Sequence, residues 1–83
     1  MSTAKPIDPV NAAIGRRIRE ARKAAGFPNP ETFAVAIGVS VATVARWEMG
    51  ITEMTPVKLA RISRATRAPV DYLLTGKKKD KAA

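Results

Sequence analysis

Apolar residues recur along this 83-residue chain at the three- and four-residue spacing of amphipathic helices, and each run is bracketed by start and stop signals. The first run places Val10, Ile14, Ile18 and Ala21 on one side, with Arg16, Arg17, Arg19, Glu20 and Lys23 on the rest. Asp8-Pro9 opens it, aspartate as cap and proline in the first helical position, and Gly26 closes it, which predicts a helix over residues 9–25. Asn29-Pro30-Glu31 repeats that start signal, with an acid near the positive end of the helix dipole, and predicts a second helix over Pro30–Ile37. Gly38 makes a corner, Ser40 caps a third helix over Val41–Met49, and Gly50 ends it. After a loop at residues 51–54, Thr55-Pro56 starts a fourth helix, Pro56–Thr66, and Pro69 opens a last short helix that Gly76 closes. The pattern predicts an all-α fold: five helices in one compact domain over residues 9–76, between a flexible arm at 1–8 and a disordered lysine-rich tail at 77–83.

Residues 33–48 are the most informative stretch. Ala34 is small where one helix must pass close under the next, and Gly38 can adopt the positive φ that turns a helix sharply. Val44 and Trp47, three apart, give the third helix one buried side, while Val41, Ala42, Ala45 and Arg46 face outward. Two short helices pinched in this way can lay the second in the major groove of DNA, although an ordinary corner between core helices shares the pattern.

Charge separates those readings. Fifteen Lys and Arg against seven Asp and Glu give a net charge of +8 and a pI near 10.7, a surface that attracts a polyanion, most commonly nucleic acid. No segment approaches the roughly 20 apolar residues of a membrane span, and the N-terminus lacks the apolar run of a secretory signal. A cytoplasmic location with no membrane partner is expected. With no cysteine and no histidine, disulfides, thiolate metal sites and imidazole chemistry are excluded. The carboxylates are dispersed and no glycine-rich phosphate loop is present, so neither an enzyme nor a cofactor is expected.

From Ile14-Gly15 through Arg22, Gly26, Phe33-Ala34, Ile37-Gly38-Val39-Ser40, Val44, Arg46-Trp47-Glu48, Gly50 and Leu59 to Val70-Asp71-Tyr72-Leu73-Leu74, the chain resembles the lambda-repressor-like, Cro/cI-type (XRE) helix-turn-helix domain. The resemblance implies a phage or bacterial transcriptional regulator that binds a double-stranded DNA operator as a homodimer. Carried over position by position, Val41, Ala42, Ala45 and Arg46 fall where the family reads base edges, and Asn29 falls at the cap that holds a phosphate. Arg19, Thr43, Thr52 and Lys58 are further candidates for phosphate contact. Leu74 is a candidate for the dimer interface, and Tyr72 belongs either there or at the core edge. Arg22 and Glu48 occupy positions that form an ion pair between the first and third helices of the family.

Two departures stand out. Pro30 replaces a glutamine with which many members grip the DNA backbone, and Glu53 would repel phosphate if it pointed there. The reading face is also poor in polar groups. Arg46 can offer two parallel donors to guanine, worth about 1–3 kcal/mol of discrimination, whereas Val41, Ala42 and Ala45 offer methyl contact, most naturally to thymine. Modest specificity, assisted by DNA shape, is expected.

Trp47, Phe27 and Phe33 read as core residues by their spacing. Lys58, Arg61 and Arg64 form a basic stripe that is either a solvated face or a functional one, with Lys58 on a phosphate and the two arginines left for another partner. The chain's shortness favours a Cro-like repressor. Alternatives on the same fold are an antitoxin that binds a toxin and its own operator, and a protein-interaction adapter. Because each neutralised phosphate adds about 0.9 to the log–log salt slope, removing residues 77–83 should flatten the salt dependence of DNA binding. Titrations at graded salt test this, and an unchanged slope would make the tail a bystander.

Overall fold

Side-chain caps start the first four helices where local chemistry placed them. In the computed structural model, which describes residues 8–77, Asp8 accepts from the Val10 amide at 2.8 Å and opens α1 (Pro9–Ala24). Asn29 accepts from the Thr32 amide at 3.1 Å and opens α2 (Pro30–Ile37). Ser40 does the same for the Thr43 amide at the head of α3 (Val41–Met49), and Thr55 for the Lys58 amide at the head of α4 (Pro56–Thr66). α5 (Val70–Thr75) begins after Pro69, which has no side chain to cap with. Each hydroxyl, amide or carboxylate oxygen satisfies a backbone donor that the helix itself leaves unpaired.

The ends are equally local. Val39 donates to the Ala34 carbonyl at 3.0 Å and Gly38 to that of Val35 at 3.2 Å, the paired bonds of a Schellman stop. Gly38 sits at φ 75°, a left-handed conformation that glycine adopts without a Cβ penalty. α2 and α3 therefore meet at a bend of 110°. α1 ends at Ala24, one residue before the expected limit, because its own paired stop engages the amides of Gly26 and Phe27. α4 ends on Arg67 at φ 65°, the one non-glycine residue with positive φ among the described residues.

The core gathers Ile14, Ile18 and Ala21 of α1, Phe33 and Ala34 of α2, Val44 and Trp47 of α3, Leu59 and Ile62 of α4, and Leu73 of α5. Phe27 is half-buried rather than central, and its ring meets that of Phe33 edge-on at 5.3 Å. Val10 corrects the expected inner face of α1. It is 62% exposed, because the first turn of α1 reaches past the core to where α3 has already ended.

α3 packs most extensively on α1 and α2. A Cβ on Gly15 would lie 2.5 Å from the Glu48 carbonyl oxygen and 2.6 Å from that of Trp47. One turn away, a Cβ on Gly50 would lie 2.7 Å from the Cα of Ala12. The two helices thus cross backbone against backbone, at positions where any side chain would push them apart. On the same side of α1, Arg22 donates through Nε to Glu48 Oε2 at 2.7 Å, through Nη2 to Oε1 at 3.3 Å, and through Nη1 to the Phe27 carbonyl at 2.8 Å. Arg22 is 3% and Glu48 12% exposed, so the expected ion pair is a buried, two-pronged one.

Charge and shape at this crossing give two outcomes measurable by denaturant unfolding. Gly15→Ala should destabilise the fold by about 1–3 kcal/mol through overpacking against carbonyl groups that cannot swing away. Glu48→Ala should cost about 3–5 kcal/mol by leaving the buried guanidinium unpaired. Unchanged midpoints in both would show that the crossing tolerates an added methyl group and an unmatched charge.

Candidate nucleic-acid interface

α3 has two chemically distinct sides. Val44 is fully buried and Trp47 is 3% exposed; the indole N–H meets no acceptor among the described residues, so this ring acts by packing. The other side carries Val41, Ala42, Ala45 and Arg46, all exposed, with Val41 at 41%. The outward and inward positions separate as the helical spacing requires. Val41 and Ala42 occupy the first turn, so the apolar end of this surface stands at the sharp corner after Gly38, clear of the α1 crossing.

The phosphate candidates are in different states. Asn29 is exposed, and its side-chain oxygen caps α2 while also accepting from the Thr32 hydroxyl at 3.3 Å. Its amide nitrogen makes no hydrogen bond among the described residues and remains a donor at the head of α2, where an anion is favoured. Thr43 is half-buried, and its hydroxyl shares a 2.9 Å hydrogen bond with that of Ser40. Thr52 and Lys58 are half-buried on the loop after α3 and the first turn of α4, and Arg19 is exposed on α1. Glu53 is exposed beside Thr52. Glu48, the one acid within α3, is held by Arg22 and turned away from the outward face.

α5 carries the residues expected at a dimer contact. Leu74 is 44% exposed, whereas Tyr72 is half-buried and packs on the core. Arg17, read from the sequence as an outer charge of α1, instead reaches across the fold. It donates to the carbonyls of Leu73 at 3.0 Å and Leu74 at 3.2 Å and so closes the last turn of α5. A helix of six residues has few bonds of its own, and this side-chain cap compensates for that. Nothing in the local pattern around Arg17 signals so distant a partner.

The described residues thus present an exposed helix flank on a strongly cationic chain, and among them no acidic cluster could bind a metal. Residues 18–73 match the helix-turn-helix family profile. The chain belongs to the helix-turn-helix family. This member is 32% identical over 74 residues to a protein of Rhodospirillum rubrum named as an uncharacterized transcriptional regulator in the ATPase CF(0) region, an alignment covering 89% of this chain and 68% of that protein. Among solved structures, it is similar to the P22 c2 repressor protein, crystallised in complex with the synthetic operator 9T in the presence of Tl+. That similarity has a TM-score of 0.68 and 33% sequence identity, covering 77% of this chain and 96% of the other. The expected lambda-repressor-like fold is therefore the observed one, and family membership makes this chain a DNA-binding regulator rather than an enzyme. No single helix among the described residues is long and apolar enough to cross a membrane.

Proposed function

We propose that this helix-turn-helix protein is a cytoplasmic, Cro-like transcriptional repressor that reads a double-stranded operator through the outward side of α3. The observation that carries the reading is the exposure of Val41, Ala42, Ala45 and Arg46 along one side of a helix whose opposite side is locked into the core. The likeness to a repressor determined with its operator supports the same assignment.

Arg46 supplies a forked pair of donors matched to the acceptors of guanine, and the three small apolar side chains supply methyl surface for thymine. Asn29 and the amides at the head of α2 take one phosphate, while Arg19, Thr43, Thr52 and Lys58 fix the register along the duplex. Pro30 has no amide hydrogen and no side-chain donor, so it contributes rigidity to the α2 start but no grip on the backbone. With one forked contact to bases, the affinity rests largely on phosphate and on DNA shape. A homodimer formed through Leu74 and Tyr72 of α5 would set two copies of α3 about one helical turn, roughly 34 Å, apart on a near-palindromic site.

Selection of bound duplexes from a random pool should yield such a near-palindrome. On the selected site, Arg46→Ala should lower discrimination against random DNA by about 1–3 kcal/mol, or roughly 5- to 150-fold. Lys58→Ala should instead weaken all duplexes alike and reduce the log–log salt slope by about 0.9. Competition binding that shows undiminished preference in Arg46→Ala would remove that residue from base reading.

A further inference from the structure

Away from the reading surface, α2 and α4 border an open groove of about 310 Å³ lined by Ala36, Ile37, Arg61, Arg64 and Ala65. Half-buried Ile37 and Ala65 give it an apolar floor, and the two exposed arginines, one turn apart on α4, form its rim. Neither guanidinium makes a hydrogen bond or ion pair among the described residues, where Arg22–Glu48 is the one salt bridge. Beside Ala36 stands Val35, 81% exposed and the barest large apolar side chain of the described residues. Arg64 lies in the last turn of α4, where a cation offsets the helix dipole, but mid-helix Arg61 has no such duty.

α4 packs chiefly on α1, α2 and α5, whereas α3 packs on α1 and α2. None of Val41, Ala42, Ala45 and Arg46 lines this groove. We infer that the groove docks an acidic segment of a protein partner, with carboxylates on Arg61 and Arg64 and an aliphatic side chain laid over Ile37 and Ala65. Arginine presents a planar fork that matches a carboxylate, and the apolar floor beneath it rewards an aliphatic anchor. A phosphate backbone could use the two cations but has nothing to place on the methyl-lined floor. The inference is independent of operator reading, since the docking is measured without DNA.

Peptides recovered from a random display library on the full chain, then synthesised and titrated, test it. The peptides should combine Asp or Glu with at least one aliphatic residue, and should shift the amide signals of residues 35–37 and 61–65. They should lose about tenfold or more in affinity on Arg61→Glu/Arg64→Glu, with a smaller loss on the neutral Arg61→Gln/Arg64→Gln, which guards against misfolding of the charge-reversed protein. Binding to the selected operator should change little in the neutral variant. A library that yields no binder, peptides without acids, or affinity indifferent to both variants would overturn the proposal. A parallel loss of operator binding in the neutral variant would overturn it too, by assigning the arginines to DNA.

Discussion

The direct crossing of α1 and α3 is the constraint on which the remaining structure depends. Gly15 and Gly50 remove the two side chains that would separate the backbones, and the buried Arg22–Glu48 pair joins the same faces a few residues further along. Helices in contact through side chains stand about 8–10 Å apart and can slide over one another as those side chains repack. A crossing that uses carbonyl oxygens against a glycine Cα permits no such adjustment. It also places the ion pair where water is scarce, so removal of either partner strands the other. A small core cannot supply much rigidity by area alone, and this contact provides it by geometry.

From that anchor the division of labour within α3 follows. The last turn is held to α1, Val44 and Trp47 fill the core, and Ser40 caps the first turn at the corner made by Gly38. The outward side is then relieved of any structural role, which is why it can consist of Val41, Ala42, Ala45 and Arg46 without loss of the fold. α2 likewise meets two neighbours: it packs on α3, and its Ala36 and Ile37 border the arginines of α4. A positive chain of this kind can attract a polyanion over most of its surface, so selectivity has to come from the few groups whose positions are rigid.

Much of this was legible in the sequence because the signals are local. Asn29-Pro30, Ser40 and Thr55-Pro56 announce helix starts by the chemistry of a single cap, and Gly38 announces the corner by its freedom at φ 75°. Trp47 and Val44 declared their side of α3 by spacing. Periodicity assigns a residue to a face but not the reach of the neighbouring helix, which is why Val10 fell outside the core. Arg17 looked like one more surface charge, since its acceptors lie 56 residues away in sequence. Gly15 matched a family position, yet a glycine within a helix does not say what presses against it. Arg67 closes α4 in a left-handed conformation that only a glycine or asparagine would have signalled. The outward placement of Val41, Ala42, Ala45 and Arg46 was foreseeable, while the groove between α2 and α4 depends on a pairing of helices that no local pattern encodes.

The proposed role of α3 rests most directly on where a duplex touches the protein. Amide chemical shifts should be followed while a duplex selected from a random pool is titrated into the isotopically labelled chain. The largest changes should fall on Asn29 and the first turn of α2, on residues 40–46, and on Thr52 to Lys58, with α5 altered only at its outer side. Changes concentrated on the α4 and α5 surface, with residues 41–46 undisturbed at saturation, would contradict it.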